Sequence, residues 1–193
     1  GCTSFFPSKN LGCMGDGGAM FTNDEQLAKR LKMIANHGQS IQYHHDDIGV
    51  NSRLDTLQAA ILDVKLKTLD ACEKNRNHVA EQYDKAISQI PNFTIPKRVA
   101  NSTHVFHQYT IKCEGINRDA LRQYLAENEI PSMIYYPIPL HLQKAYQNNK
   151  YPKGTLPITE KLCEIVLSLP ISPEVDEEQI NYIVSHLKKF NNI

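Results

Sequence analysis

Four glycines within seven residues, Gly12, Gly15, Gly17 and Gly18, follow directly on Lys9. So dense a run cannot continue a helix or a strand, because glycine loses the most backbone entropy on ordering and packs no side chain. It demands positive φ angles or a backbone that passes very close to something else. On its other side Lys9 is preceded by Ser4-Phe5-Phe6-Pro7-Ser8, so an amine stands between an aromatic, proline-bearing stretch and a glycine loop. A phosphate-binding P-loop is excluded, since GxxxxGK[ST] needs the lysine after the glycines. A plain glycine-rich turn between two elements remains the competing reading.

The elements around this segment follow from periodicity. Ala19-Met20-Phe21-Thr22 reads as a short strand. Asn23 or Asp24 caps a helix with Leu27, Leu31 and Ile34 on one face, and His37-Gly38 ends it. Residues 39–52 are polar and irregular. Ser52 can cap a long helical stretch in which Leu54, Leu57, Ile61 and Val64, then Val79, Tyr83, Ala86 and Ile90, recur at helical intervals. Pro91 and Pro96 punctuate the chain there, and a domain boundary is placed near residue 91.

Beyond that point the rhythm changes. Val105, His107, Tyr109, Ile111 and Cys113 alternate like a half-buried strand, and Asn117 caps a helix through Asn128. Ile130–Tyr136 is a second strand candidate closed by Pro137 and Pro139. Leu156-Pro157 starts a helix, Val166–Pro170 is a short extended run, and 176–190 form a final amphipathic helix. The second half is therefore expected to be a compact α+β unit.

Composition narrows the function classes. The formal charge is zero, with 21 basic and 21 acidic residues. That weighs against a nucleic-acid partner, whose non-specific binding is mostly electrostatic. No run approaches the 18 or so apolar residues of a membrane span, and the first residues do not read as a signal peptide. Five scattered cysteines without a CxxC pair suggest reduced cytoplasmic thiols rather than a disulfide framework or a zinc site. His44 and His45 are adjacent and would point apart on a regular element, so no metal is expected.

The segment Ser4-Phe5-Phe6-Pro7-Ser8-Lys9-Asn10-Leu11-Gly12-Cys13-Met14-Gly15-Asp16-Gly17-Gly18-Ala19-Met20-Phe21-Thr22 resembles the lysine segment of the DegT/DnrJ/EryC1/StrS aminotransferases. The similarity continues through His37-Gly38, Tyr43-His44-His45 and Gly49-Val50-Asn51-Ser52-Arg53-Leu54-Asp55-Thr56-Leu57-Gln58-Ala59-Ala60. It resumes at Gln108-Tyr109-Thr110, Tyr135-Tyr136-Pro137-Ile138-Pro139-Leu140-His141 and Leu167-Ser168-Leu169-Pro170. Within the family these motifs most resemble the WbpE-like branch, which aminates UDP-2-acetamido-2-deoxy-3-keto-glucuronic acid for bacterial surface polysaccharides.

The resemblance implies an α/β fold, the C-terminal part of a fold-type I transferase that uses pyridoxal 5′-phosphate (PLP). Residues 1–90 would be the remnant of the large domain and 91–193 a small α+β domain. Lys9 matches the lysine that forms a Schiff base with PLP, and Ser4 matches a hydroxyl on the PLP phosphate. Asn51 matches an amide that reaches the phosphate in the neighbouring subunit of a homodimer with shared active sites. Arg53 matches a substrate-contacting guanidinium, against the alternative of a salt bridge to Asp55 or another acid. Tyr136 matches a residue lining the sugar site, where a plain core aromatic is the alternative. His141 is open between substrate contact and a capping or surface role.

The implied substrates are a nucleotide sugar and an amino donor, glutamate. Only the C-terminal half of the family's chain is matched. The acidic partner of the PLP ring nitrogen and the group that stacks on the ring are missing, and no initiator Met opens the chain. The expectation is a fragment that binds PLP weakly or not at all and is inactive alone. The rival is a non-catalytic dimerisation or binding module.

Overall fold

The computed structural model describes residues 1–191. The chain forms two compact units, Gly1–Asp70 and Ala71–Ile193. In the first, strands β1 (Cys2–Ser4) and β2 (Gly18–Met20) pair antiparallel, with Cys2 opposite Met20 and Ser4 opposite Gly18. Helix α1 (Glu25–Ala35) follows. Asp24 caps it through its carboxylate, which accepts from the backbone N–H groups of Gln26 and Leu27. His37 and Gly38 take positive φ at its end. The polar stretch that follows is not irregular throughout, since β3 (Gln39–Ile41) and β4 (His44–His45) pair antiparallel.

The long helical stretch is two helices, α2 (Thr56–Leu66) and α3 (Leu69–Ile87). The cap of α2 is Asp55, not Ser52, whose N–H instead donates to the Ala35 carbonyl at 2.9 Å. Apolar periodicity carries straight over the break at Lys67-Thr68, so the sequence reads as one helix.

The second unit is built on an antiparallel sheet in the order β5 (Phe93–Thr94), β6 (Tyr109–Cys113), β7 (Val166–Leu169). On β6 the alternation is realised, with Tyr109, Ile111 and Cys113 buried. Tyr109 stands opposite Leu169 and Ile111 opposite Leu167. The strand is shorter than the alternation suggests, because Phe106 adopts φ of 43° and turns the chain before 109. Residues 130–136 make no strand either. Met133 exchanges both backbone hydrogen bonds with Ser168, at 3.1 and 2.8 Å, and pairing stops there. Pro131 and Pro137 have no N–H with which to extend the ladder.

Helices α3, α4 (Arg118–Glu127) and α6 (Glu177–Asn191) supply the rest of the core. Asn117 caps α4, as its sequence position predicts, and α5 (Pro157–Ile165) opens on its proline. Val79, Ala80, Tyr83 and Ile87 of α3 pack with the sheet. The Tyr83 hydroxyl donates to the Pro170 carbonyl at 2.8 Å. Arg76 Nη1 donates to the Phe106 and Ile171 carbonyls, each at 3.1 Å. These contacts tie α3 to the sheet of the second compact unit, which begins at Ala71. Proline marks the end of a helix, but the core decides which unit the helix serves.

Candidate functional site

The β1–β2 pair closes a loop over residues 5–17, and Lys9 lies on it. Backbone bonds pin the loop at several points. Phe5 N–H donates to the Gly17 carbonyl (2.8 Å), Cys13 N–H to the Phe5 carbonyl (2.9 Å), and Lys9 N–H to the Phe6 carbonyl (2.8 Å). The buried Cys13 thiol lies 2.9 Å from both the Phe5 and Gly15 carbonyls. Gly12 is required by close approach, since a Cβ there would sit 2.5 Å from the Pro7 carbonyl oxygen.

Helix α2 braces the same loop from outside. Lys65 Nζ donates to the Gly12 carbonyl at 2.6 Å, and Gln58 Oε1 accepts from the Met14 N–H at 2.8 Å. Sequence reading assigned no role to Gln58, Lys65 or Cys13. A signal was present: positions 58, 62 and 65 share one helix face, and Leu62 between the two polar residues is buried.

Lys9 is half-buried, and its amine makes no hydrogen bond or ion pair among the described residues. Ser4 is exposed, and its Oγ accepts from the Phe6 N–H at 3.2 Å. That leaves the hydroxyl proton unengaged among the described residues.

The second group of residues lies where the chain returns past the end of α1. His37 N–H donates to the Val50 carbonyl (2.9 Å) and Val50 N–H to the Ile34 carbonyl (2.8 Å), while Asn36 and Asn51 form an isolated bridge. Gly49 permits this passage: a Cβ would lie 2.0 Å from the Gly38 nitrogen. Asn51 Oδ1 accepts from Arg53 Nε at 3.0 Å, and Asn36 Oδ1 accepts from Arg53 Nη1 at 3.4 Å. Arg53 is therefore held by two amide oxygens, and no salt bridge to Asp55 forms among the described residues. Asn36, which sequence reading left out, helps to aim the guanidinium. It is the C-cap residue of α1.

Asn51, Arg53 and their neighbours line an open cleft of about 1100 Å³ with β2 and one face of α1. Neither Ser4 nor Lys9 lines it. The structure thus sets Ser4, at the end of β1, beside the loop that carries Lys9, and Asn51 with Arg53 on another segment. Tyr136 belongs to the second unit. It is 70% exposed, with its ring edge-on to Tyr135 at 5.6 Å, and is no core aromatic. His141 is engaged within that unit, its Nε2 lying 3.1 Å from Glu160 Oε1.

The donor set suits PLP, whose phosphate is an acceptor and whose aldehyde needs an amine. With Asn51 Oδ1 turned to Arg53, the groups left to meet an anion are its N–H donors and the Ser4 hydroxyl. No group of His, Cys, Asp and Glu able to hold a metal ion occurs among the described residues, and no helix there is long and apolar enough to cross a membrane.

The UDP-2-acetamido-2-deoxy-3-oxo-D-glucuronate aminotransferase of Pseudomonas aeruginosa is 45% identical over 186 residues, covering 96% of this chain and 50% of that protein. The crystal structure of Streptomyces venezuelae DesV in complex with a ketimine intermediate superposes with a TM-score of 0.93 at 38% identity, over 100% of this chain and 51% of that one. That of NtdA from Bacillus subtilis, with bound cofactor PMP, gives 0.90 at 28% identity, over 100% and 46%. The chain spans about half the length of the curated relatives it matches. Its fold is that of the corresponding half of these aminotransferases. A model of the DegT/DnrJ/EryC1/StrS aminotransferase family matches residues 1–188, and the chain belongs to that family.

Proposed function

We propose that this chain is the C-terminal part of a PLP-dependent aminotransferase that moves an amino group from glutamate to a keto sugar on a nucleotide. The favoured acceptor is UDP-2-acetamido-2-deoxy-3-keto-glucuronic acid, in the supply of amino sugars for bacterial surface polysaccharides. The observation that carries the reading is the Lys9 loop. Its backbone is pinned by β1, β2 and α2, while the Lys9 amine and the Ser4 hydroxyl proton are left unengaged. A loop held that firmly around an unpaired amine is preorganised for covalent chemistry at that amine. The 45% identity to an aminotransferase of this substrate class supports the acceptor.

In this reading residues 1–90 are the C-terminal part of the large PLP-binding domain and 91–193 the small domain. PLP supplies an electron sink that stabilises negative charge at the donor's α-carbon. Lys9 would hold the cofactor through its amine, and the same amine would carry the proton taken from the donor's α-carbon. Ser4 donates to the cofactor phosphate. Asn51 serves the phosphate in a neighbouring subunit of a homodimer, and Arg53 forks onto a substrate carboxylate or phosphate. Tyr136 lines the sugar side. All five cysteines are unpaired, which supports a reducing, cytoplasmic setting.

Borohydride reduction of the full-length enzyme, followed by peptide mass mapping, tests the reading. Cofactor mass should appear on the peptide that carries Lys9, and Lys9→Ala should remove both the label and the yellow colour. Transamination should fall by about a thousandfold or more in that variant. A coloured, trappable Lys9→Ala enzyme would refute the assignment.

A further inference from the structure

Residues 135–156 form a long connection with little regular structure, only the 3-10 turns Leu140–Leu142 and Lys144–Tyr146. Loops of this length within compact domains are usually functional or disordered, and this one is tied at both ends by a single carboxylate. Glu160 is in the first turn of α5. It accepts from the Gly154 N–H at 2.8 and 3.0 Å, from the Leu156 N–H at 3.3 Å, and meets His141 Nε2 at 3.1 Å. The His141 and Glu160 side chains are only 9% and 14% exposed. His141 stands near the start of the connection, and Gly154 and Leu156 stand at its end. Between them residues 144–153 are exposed and carry Lys144, Lys150 and Lys153 with no acidic residue.

A carboxylate so enclosed, with backbone donors and an imidazole converging on it, holds the two ends of the loop together. From His141 the constraint passes back toward Tyr136 through Pro137-Ile138-Pro139, where two fixed φ angles make a stiff link. We propose that Glu160 is a positioning residue: together with His141 it latches the 135–156 loop shut and thereby fixes Tyr136. The inference rests on the reading of Tyr136 as a residue of the sugar site.

The test uses Glu160→Ala and Glu160→Gln in the full-length enzyme, with two readouts. The first needs no activity. Limited trypsin digestion should cut after Lys144, Lys150 and Lys153 about tenfold faster in Glu160→Ala, because opening of the loop governs cleavage. The second separates the half-reactions. The KM for the keto-sugar nucleotide should rise about tenfold in Glu160→Ala, while reaction with glutamate stays within about twofold. Glu160→Gln keeps an oxygen acceptor for the Gly154 and Leu156 N–H groups and should restore most of both readouts.

Unchanged cleavage would overturn the latch. Faster cleavage with an unchanged KM would overturn the positioning role, and so would an equal loss in both half-reactions. If Glu160→Ala does not fold, His141→Ala should show the same pattern more weakly, and its absence there counts equally against the latch. A wild-type enzyme that aminates no keto-sugar nucleotide would sink the functional reading, while the cleavage pattern would still decide the latch.

Discussion

The two units use the same kinds of residues to opposite ends. In the second, Tyr109, Ile111, Leu121, Leu125, Leu167 and Leu187 are all sealed from solvent by the sheet and helices of that unit. Two of its buried polar residues find partners too: Arg118 donates to the Val166 carbonyl at 2.8 Å, and the Ser168 hydroxyl meets that of the half-buried Thr110 at 2.7 Å. In the first unit the only buried apolar side chains among the described residues are Cys13 and Leu62. Ile48 is 94% exposed, Met14 75% and Leu57 71%. The second unit is a domain with its own core. The first is a scaffold of pinned loops whose apolar faces have nothing to pack against within it, and it carries Ser4, Lys9, Asn51 and Arg53. On the proposed reading, the residues assigned to the cofactor sit in the unit that builds no core of its own, since a cofactor pocket needs walls and a core supplies only a floor.

The strongest way to break this comparison is to ask the incomplete unit to hold the cofactor. These 193 residues should bind PLP at least about a thousandfold more weakly than the full-length enzyme, a difference of ~4 kcal/mol. Titration of PLP into both proteins, followed by absorbance of the lysine-bound species, gives the two affinities. Tight stoichiometric binding by the 193 residues would show that the Lys9 loop needs no further walls.

Core truncation sharpens the contrast in stability. Ile111→Ala removes a fully buried side chain opposite Leu167 and should cost about 2–5 kcal/mol. Leu57→Ala removes one that is mostly exposed and should change stability by less than about 0.5 kcal/mol. Denaturant unfolding of both variants of the 193-residue chain makes the comparison. Equal costs would mean that the first unit buries its apolar face in solution after all.

How far the sequence disclosed this differs between fold and site. Caps and alternation located α1, α4, α5 and β6 because Asp24, Asn117, Pro157 and the 109–113 pattern act locally. The break between α2 and α3 was hidden because apolar spacing continues across it. The second strand failed at Pro131 and Pro137, whose missing donors a hydrophobicity pattern does not register. For the site, Lys9 and its glycine loop stood out by composition. Gln58, Lys65, Asn36 and Glu160 did not, because each acts through a contact 17 or more residues away, or through several weak bonds gathered at one point. Such contacts depend on the tertiary fold, and no local rule encodes them.

The smallest expected effect concerns acid stability in the second unit. Burial pushes the Glu160 carboxyl up, but the hydrogen bonds from Gly154, His141 and Leu156 outweigh it and hold the group below the ordinary value of 4.5. A carboxylate with a depressed folded-state pKa binds protons more readily when unfolded. Its contribution is therefore complete above the unfolded value and is lost as pH falls through the folded one. Glu160→Gln cannot ionise and has no such contribution to lose. Wild type should thus be the more stable of the two near neutrality, and the gap should narrow as pH drops below about 4.5. Denaturant unfolding of both proteins at pH 7 and at successive steps into acid measures the gap directly. The shift is modest and other carboxylates titrate in the same window, so the wild-type-minus-variant difference, rather than either curve, carries the result. A gap that stays constant across the acid limb would mean that protonated Glu160 holds the loop as well as the carboxylate does. The tie would then come from hydrogen bonding to a neutral oxygen rather than from the charge.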